Sequence, residues 1–417
     1  MTPKTVLIIG AGGRGSGYAE YAQYFPEQLR VVGVAEPRDY YRNRLVASHN
    51  IPASNVFTDW RAAADRPRFA DAVIIATQDS MHQEPALAFA AKGYHMLLEK
   101  PMDPTEGGCR KIVAAAQAGG GLFAVCHVLR YTTYTQKVKQ IVTSGRLGDV
   151  VNIQHFEPVG YWHQAHSFVR GNWRNEQESS CMLLAKSCHD LDWLRYIMAT
   201  PCKQVSSFGN LIHFRPDHKP QGAADRCLDC AVEPTCPYSA IKIYLGRVRA
   251  GDTDWPVNVL TPDVTEAGVT AALRTGPYGR CVYACDNDVV DHQVVNLLFQ
   301  GGQTATFTMT AFDRARNRET RIFGTRGELT GDGRYIDVFD FMTDQTERFD
   351  TEATGTDGSI LTGHGGGDFG LMKCFAAALA KEDQSLILSG PQETLESHLM
   401  VFAAEQARKE GRVVEVK

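Results

Sequence analysis

Thr5-Val6-Leu7-Ile8-Ile9-Gly10-Ala11-Gly12-Gly13-Arg14-Gly15 is the stretch on which the fold turns. The run Thr5–Gly10 is apolar without alternation, the pattern of a strand buried on both faces of a parallel sheet. The glycines that follow fit G-x-G-x-x-G, and Gly15–Tyr24 reads as a helix. Gly10 permits the tight turn, Gly12 lets the backbone approach a pyrophosphate, and Gly15 allows close packing of helix on strand. Downstream the two periodicities keep alternating. Leu29–Glu36, Ala72–Ala76, His95–Glu99 and Leu122–His127 read as strands; Asp39–His49, Met81–Lys92 and Thr105–Ala118 read as helices. Residues 1–128 are therefore expected to form a Rossmann domain, an α/β unit with a doubly wound parallel sheet.

The context gives the glycine loop a ligand. Free N–H groups at a helix start favour phosphate, so Gly10, Gly12, Gly13, Arg14 and Gly15 are expected to cradle a dinucleotide. Glu36 closes the next strand about twenty residues on, where an acid accepts hydrogen bonds from the adenosine ribose. It would repel a 2′-phosphate, which favours NAD over NADP. Arg38 pulls the other way, since a guanidinium there accommodates that phosphate.

After about residue 130 the texture changes. Strands are expected near Val150–Pro158, Gln204–Phe214, Asp291–Phe299, Gln303–Ala311 and Thr320–Phe323, the later ones joined by turns such as Gln300-Gly301-Gly302. Strands without intervening helices indicate a large, mostly antiparallel open sheet, so residues 129–417 are read as an α+β domain for substrate binding and oligomerisation. Helices interrupt it at Leu183–Ile197, Phe369–Ala380 and Gln392–Glu410. The C-terminal pair, near 367–410, is expected to pack back on the first domain. Residues 246–280, rich in Gly, Pro, Asp and Thr, read as a long surface loop.

Bulk properties narrow the class. At 417 residues, 43% hydrophobic and 22% charged, the chain is an ordinary globular protein of two domains. A formal charge of -5 gives no reason to expect nucleic acid or an anionic membrane as partner. The apolar run after Met1-Thr2-Pro3-Lys4 is too short for a signal segment, so cytoplasmic residence is expected. Eleven cysteines, an odd number, do not read as a disulfide framework; Cys109, Cys126, Cys181, Cys188 and Cys374 read as small core residues.

Asp71–Thr77 (DAVIIAT), His82 and Glu99-Lys100-Pro101 at a strand end resemble the Gfo/Idh/MocA family of glucose-fructose oxidoreductase, inositol dehydrogenase and relatives. The resemblance implies that Lys100 lies beside the nicotinamide and the reacting carbon, with Thr77, His82 and Glu99 at the cofactor. A second family signature is D-x-x-x-H on a helix with a further Asp three residues beyond. His189 and Asp192 match it, but Ala185 stands where the first aspartate belongs and Lys186 follows. His189 is thus implied as acid/base, with Lys186 a further catalytic candidate and Asp192 at the substrate. On one continuous helix, residues 185 and 189 would share a face. Relatives pair through the open sheet face, which implies a homodimer or homotetramer.

Two stretches carry chemistry of their own. Tyr161–Arg174 holds two His, two Arg and two Trp. His163, His166, Arg170, Trp173 and Arg174 are read as substrate-binding, a cationic and aromatic wall suited to a hydroxylated substrate bearing an anionic group. A plain surface loop is the alternative. Cys227, Cys230 and Cys236 form C-x2-C-x5-C, a spacing that suits structural zinc, with His213 ranked ahead of Cys281 and Cys285 as fourth ligand. Packed free thiols are the alternative. The whole reads as an NAD-dependent oxidoreductase of a ring carbinol in a sugar, cyclitol or derivative. An NAD-dependent glycosidase, oxidising the ring only transiently, is the rival enzyme; a non-catalytic NAD sensor is the third class.

Overall fold

The computed structural model describes residues 2–352 and 363–417. In the first half, β1 (Lys4–Ile9), α1 (Gly13–Tyr24), β2 (Leu29–Ala35), α2 (Asp39–His49), β3 (Val56–Phe57), α3 (Trp60–Ala64), β4 (Ala72–Ile75), α4 (Gln83–Ala90), β5 (His95–Leu98), α5 (Glu106–Gly119) and β6 (Phe123–Val125) follow one another. They build a six-stranded sheet in the order β3-β2-β1-β4-β5-β6, with every pairing parallel. Val6 to Ile9 and Ala72 to Ile75 are at most 1% exposed, which accounts for their unbroken apolar runs. The strand order reverses between β1 and β4, so a crevice opens at their carboxyl ends. β3 and α3 were not expected; two and five residues are too short to show a period.

The second half runs α6 (Thr133–Thr143), β7 (Val150–Pro158), α7 (Tyr161–Gln164), α8 (Met182–Ala185), α9 (Cys188–Met198), β8 (Cys202–Asn210), α10 (Gly246–Arg249), α11 (Glu266–Thr275), β9 (His292–Phe299), β10 (Thr304–Thr310), β11 (Glu319–Gly324), β12 (Gly327–Gly331), β13 (Tyr335–Asp340), β14 (Gln345–Asp350), α12 (Gly363–Lys381), α13 (Pro391–Glu410) and β15 (Val414–Glu415). Its nine strands order as β14-β13-β12-β11-β7-β10-β9-β8-β15, antiparallel except for the pair β7–β10. The inner face carries Ile153, Val205, Val295, Leu297, Phe307 and Met309, covered by residues of α9 and α13.

α12 and α13 join the halves. Leu371, Phe375 and Leu379 of α12 enter one core of the parallel sheet, and Leu395 and Leu399 of α13 enter the other. Met400, Val401 and Ala404 of α13 belong to the core under the antiparallel sheet. Residues 246–280 correct the expectation of a surface loop. They hold α10 and α11, and Val257, Val269 and Leu273 bury fully in a satellite core with Phe214, Tyr244 and Val282. Among the described residues no helix is long and apolar enough to cross a membrane.

Candidate active site

The glycine loop is shaped as its sequence demands. Gly10 has φ +87°, and a Cβ there would lie 2.5 Å from the Ala76 carbonyl oxygen. A Cβ on Gly15 would lie 1.9 Å from the Gly10 carbonyl oxygen. At Gly13 a Cβ would meet nothing within 4 Å, and at Gly12 only the Arg38 guanidinium at 3.4 Å. The loop therefore presents an open backbone face. No side chain caps α1, so its first N–H groups stay available to an anion.

Glu36, 2% exposed, ends the next strand. Its carboxylate accepts from the Ala11 N–H at 2.9 Å and from the Arg38 N–H at 3.0 Å and Nε at 2.7 Å. Burial alone would raise its pKa, but the hydrogen bonds from Arg38 and Ala11 bring it below the ordinary carboxylate value. These residues fit a dinucleotide: the open backbone at Gly12 and Gly13 would take its phosphates and Glu36 a ribose.

At the neighbouring strand ends, buried His82 ties two loops together. Its Nδ1 donates to the Pro101 carbonyl at 2.8 Å, and its Nε2 lies 3.2 Å from the Thr77 carbonyl oxygen. Buried Glu99 accepts from Arg14 Nε at 2.6 Å, Tyr18 Oη at 2.6 Å and the Lys100 N–H at 2.8 Å. Despite burial, Arg14 and Lys100 hold its pKa below the usual range. Lys100 reaches across to donate to the Ala185 carbonyl at 2.7 Å.

That contact exists because the helix expected over Leu183–Ile197 is broken. α8 ends at Ala185, Lys186 has φ -109° and ψ -59°, and α9 starts only at Cys188. Residues 185 and 189 therefore do not share a face of one continuous helix. The break leaves the Ala185 carbonyl without a partner four residues on, and the ammonium takes it.

His189 is 4% exposed, and its Nδ1 is buried without a hydrogen-bond partner. Burial, reinforced by Lys100, His364 and His127, holds its pKa well below the ordinary histidine value. The Lys186 ammonium pairs with Glu157 at 3.0 Å. Arg318 pairs with Glu157 at 3.0 Å and with Asp190 at 2.5 Å, and His155 Nε2 lies 3.1 Å from Asp190. Carboxylates thus offset both Lys186 and Arg318. The Lys100 ammonium, among the described residues, has a carbonyl and no carboxylate partner. His163 joins this group, its pKa held well down by burial and by Lys186. Trp173 Nε1 lies 3.5 Å from Asp79 Oδ1.

Other expected residues stand elsewhere. Asp192 is occupied by Arg130, at 2.7 and 2.8 Å, and by Ser397 at 2.9 Å. His166 bonds the Tyr244 hydroxyl at 2.8 Å and stacks on Tyr278. Buried Arg170 donates to the carbonyls of Arg280 and Tyr238, and Arg174 pairs with Asp286. Cys227, Cys230 and Cys236 do converge, with Cys281, on a cavity of about 190 Å³. His213, ranked first as fourth ligand, is not in its wall; its Nε2 lies 3.1 Å from the Tyr283 hydroxyl instead. Among the described residues no three metal-ligating side chains are gathered closely enough to hold an ion, so zinc gains no support.

Glu157, Asp190, Arg318, His364 and Asp368 were missed. Glu157 lies on β7 and Arg318 just before β11, strands with no chemical motif. His364 and Asp368 lie in Gly363-His364-Gly365-Gly366-Gly367-Asp368, a glycine-rich run before an apolar helix that was open to recognition.

Residues 4–127 match the model for the oxidoreductase family with NAD-binding Rossmann fold, and residues 139–416 match that family's C-terminal alpha/beta domain. The chain belongs to the Gfo/Idh/MocA oxidoreductase family. Among relatives of this Gfo/Idh/MocA protein, inositol 2-dehydrogenase of Streptomyces avermitilis is 30% identical over 223 residues, 53% of this chain and 60% of the relative. The 2,7-anhydro-N-acetylneuraminate hydratase of Mediterraneibacter gnavus is 27% identical over 204 residues, 48% of this chain and 52% of the relative. The matched stretch thus spans about half to three-fifths of these curated relatives. A levoglucosan dehydrogenase solved with NADH and levoglucosan superposes with a TM-score of 0.71 at 17% identity, over 100% of both chains. That likeness is one of fold.

Proposed function

We propose that this protein is an NAD-dependent oxidoreductase acting on a ring carbinol of a sugar, cyclitol or sugar derivative. The observation that carries the reading is Lys100, an ammonium at the carboxyl edge of the parallel sheet without a carboxylate partner among the described residues, set beside neutral His189. The cofactor supplies the hydride acceptor; the chain positions the carbinol and moves its hydroxyl proton. Lys100 is suited to hold the substrate oxygen, and His189, held neutral, to share a hydrogen bond with it. Because Glu157 and Asp190 already offset Lys186 and Arg318, the wall is less cationic than its sequence suggested. A neutral, polyhydroxylated ring fits it best, with an anionic derivative second.

The test is spectroscopic. Purified enzyme with excess NAD and a panel of cyclitols and anhydrosugars is expected to accumulate NADH in proportion to substrate consumed. Lys100→Met and His189→Ala should keep NAD affinity and lose roughly 10²–10⁴-fold in turnover. Wild-type-like turnover in either variant removes that residue from the chemistry. A redox-neutral reaction on a glycoside is the second reading, favoured by the hydratase relative and by Ala185 in place of the signature carboxylate. It would release product with NAD needed only in catalytic amount.

Two further proposals belong to the same reading. A cytoplasmic location is proposed, a reducing compartment in which the cysteines would stay as thiols. The open face of the antiparallel sheet is proposed to pair copies into a homodimer or homotetramer.

A further inference from the structure

Three imidazoles stand together at this site, those of His127, His189 and His364, and of these only His364 has a hydrogen-bonded carboxylate to orient it. His189 lacks a partner at Nδ1. The ring of His364 lies 5.6 Å from that of His189, and its Nδ1 is 2.9 Å from Asp368 Oδ2. An aspartate on Nδ1 fixes the tautomer of a histidine, leaves Nε2 as the proton acceptor and stabilises the imidazolium that forms. Asp368 is 2% exposed, and its other oxygen accepts from Arg14 of the glycine loop. Burial would raise its pKa, but Arg14 and His364 hold it down at about 2, so the orienting group stays ionised.

The backbone is bent to place this pair. His364, Gly365 and Gly366 have φ of 51°, 64° and 83°, three left-handed residues in succession at the head of α12. Two are glycines, for which this is cheap; His364 is not, and such a conformation at a non-glycine residue points to a constraint worth explaining. The side chain of His364 is 37% exposed, unlike buried His189.

We propose that His364, oriented by Asp368, is the group that takes the hydroxyl proton of the substrate, the part for which Ala185 leaves this chain without the signature carboxylate. The inference rests on the oxidoreductase reading above. The O–H proton moves to Nε2, the O–H electron pair becomes the second C–O bond, and the hydrogen on carbon leaves with its electron pair for the nicotinamide. Lys100 holds the oxygen throughout. Asp368 is a positioning residue, since it acts through His364.

The experiment compares wild type with His364→Gly, His364→Asn and Asp368→Asn on one substrate panel, following NADH and product release, with NAD affinity measured by calorimetry. Glycine and asparagine both tolerate the left-handed backbone, so folding is spared. Both His364 variants should keep NAD affinity within about threefold and lose about 10²-fold or more in kcat. Added imidazole should restore His364→Gly at least tenfold, which a structural role would not allow. Asp368→Asn should lower kcat with KM little changed, and imidazole should not rescue it. Full turnover in His364→Gly, or a loss that imidazole cannot repair, overturns the proposal and leaves the functional reading standing. A wild-type enzyme inert on the whole panel overturns both.

Discussion

Glu36 meets two demands at once. Its carboxylate holds the turn at Ala11 and pairs with Arg38, whose guanidinium, 56% exposed, stands over Gly12. A 2′-phosphate would have to displace that pair and face the buried charge. Glu36→Ala removes the repulsion and frees Arg38 for phosphate, so both changes act in one direction. The ratio of NADP to NAD dissociation constants should narrow by about tenfold or more, the worth of one charge-assisted hydrogen bond. Equal affinities in the wild type, measured by calorimetry, would sink the role given to Glu36. Residues of this kind were legible because the fingerprint is local in sequence. Asp190 and Arg318 were not, because each acquires its partner only through the fold.

Buried histidines set the pH dependence of stability. His127 and His166, at most 2% exposed, are pushed down to about 3, chiefly by burial. Unfolded, each titrates near about 6.5. Between those values the unfolded chain binds protons that the folded one refuses, so stability falls as pH falls. The slope for each histidine reaches on the order of 1.4 kcal/mol per pH unit. Urea unfolding at about pH 7.5, 6 and 5 should show this loss, and His166→Phe should flatten it by about one proton. A flat profile would mean that other groups compensate.

At the scale of elements, legibility followed burial pattern. The parallel strands are dry on both faces and read as apolar runs. β14, Gln345–Asp350, is exposed at almost every position and offers no alternation to read. In α11 only Val269 and Leu273 are buried, a pair four apart that is easily lost among Gly, Thr and Ala. The break at Lys186 and Ser187 contains neither Gly nor Pro, so nothing local announced it. The glycine loop gives a sharp test at this scale. Gly15→Ala puts a methyl against the Gly10 carbonyl and should lower both the melting temperature and NAD affinity. Gly13→Ala meets open space at the start of α1 and should leave stability unchanged or raised by up to about 1 kcal/mol. Similar melting temperatures for the two variants would show that the turn yields more than its geometry indicates.

For the whole molecule, the outer face of the antiparallel sheet is the proposed contact between copies. Phe208 on β8, 67% exposed, pairs in register with Val294 on β9, 36% exposed. Val294 faces Thr308 on β10, and Thr308 faces Phe156 on β7. A stripe of Phe208, Val294 and Phe156, bridged by Thr308, therefore crosses four adjacent strands, flanked by Ser206, Asn296, Thr306 and Gln154 one step along. Polar residues on the flank keep the face soluble during folding, while the stripe gains by being covered, at about 25 cal/mol per Å² of apolar surface. A two-fold axis through the sheet would bring the same stripe from both copies together, closing the contact without a chain of further subunits. Light scattering at micromolar concentration should give a dimer or tetramer. Phe208→Lys with Val294→Lys should shift it toward monomer while NAD affinity holds, because the parallel sheet is untouched. A wild-type monomer, or a double variant with unchanged mass, would show that this face is not the interface.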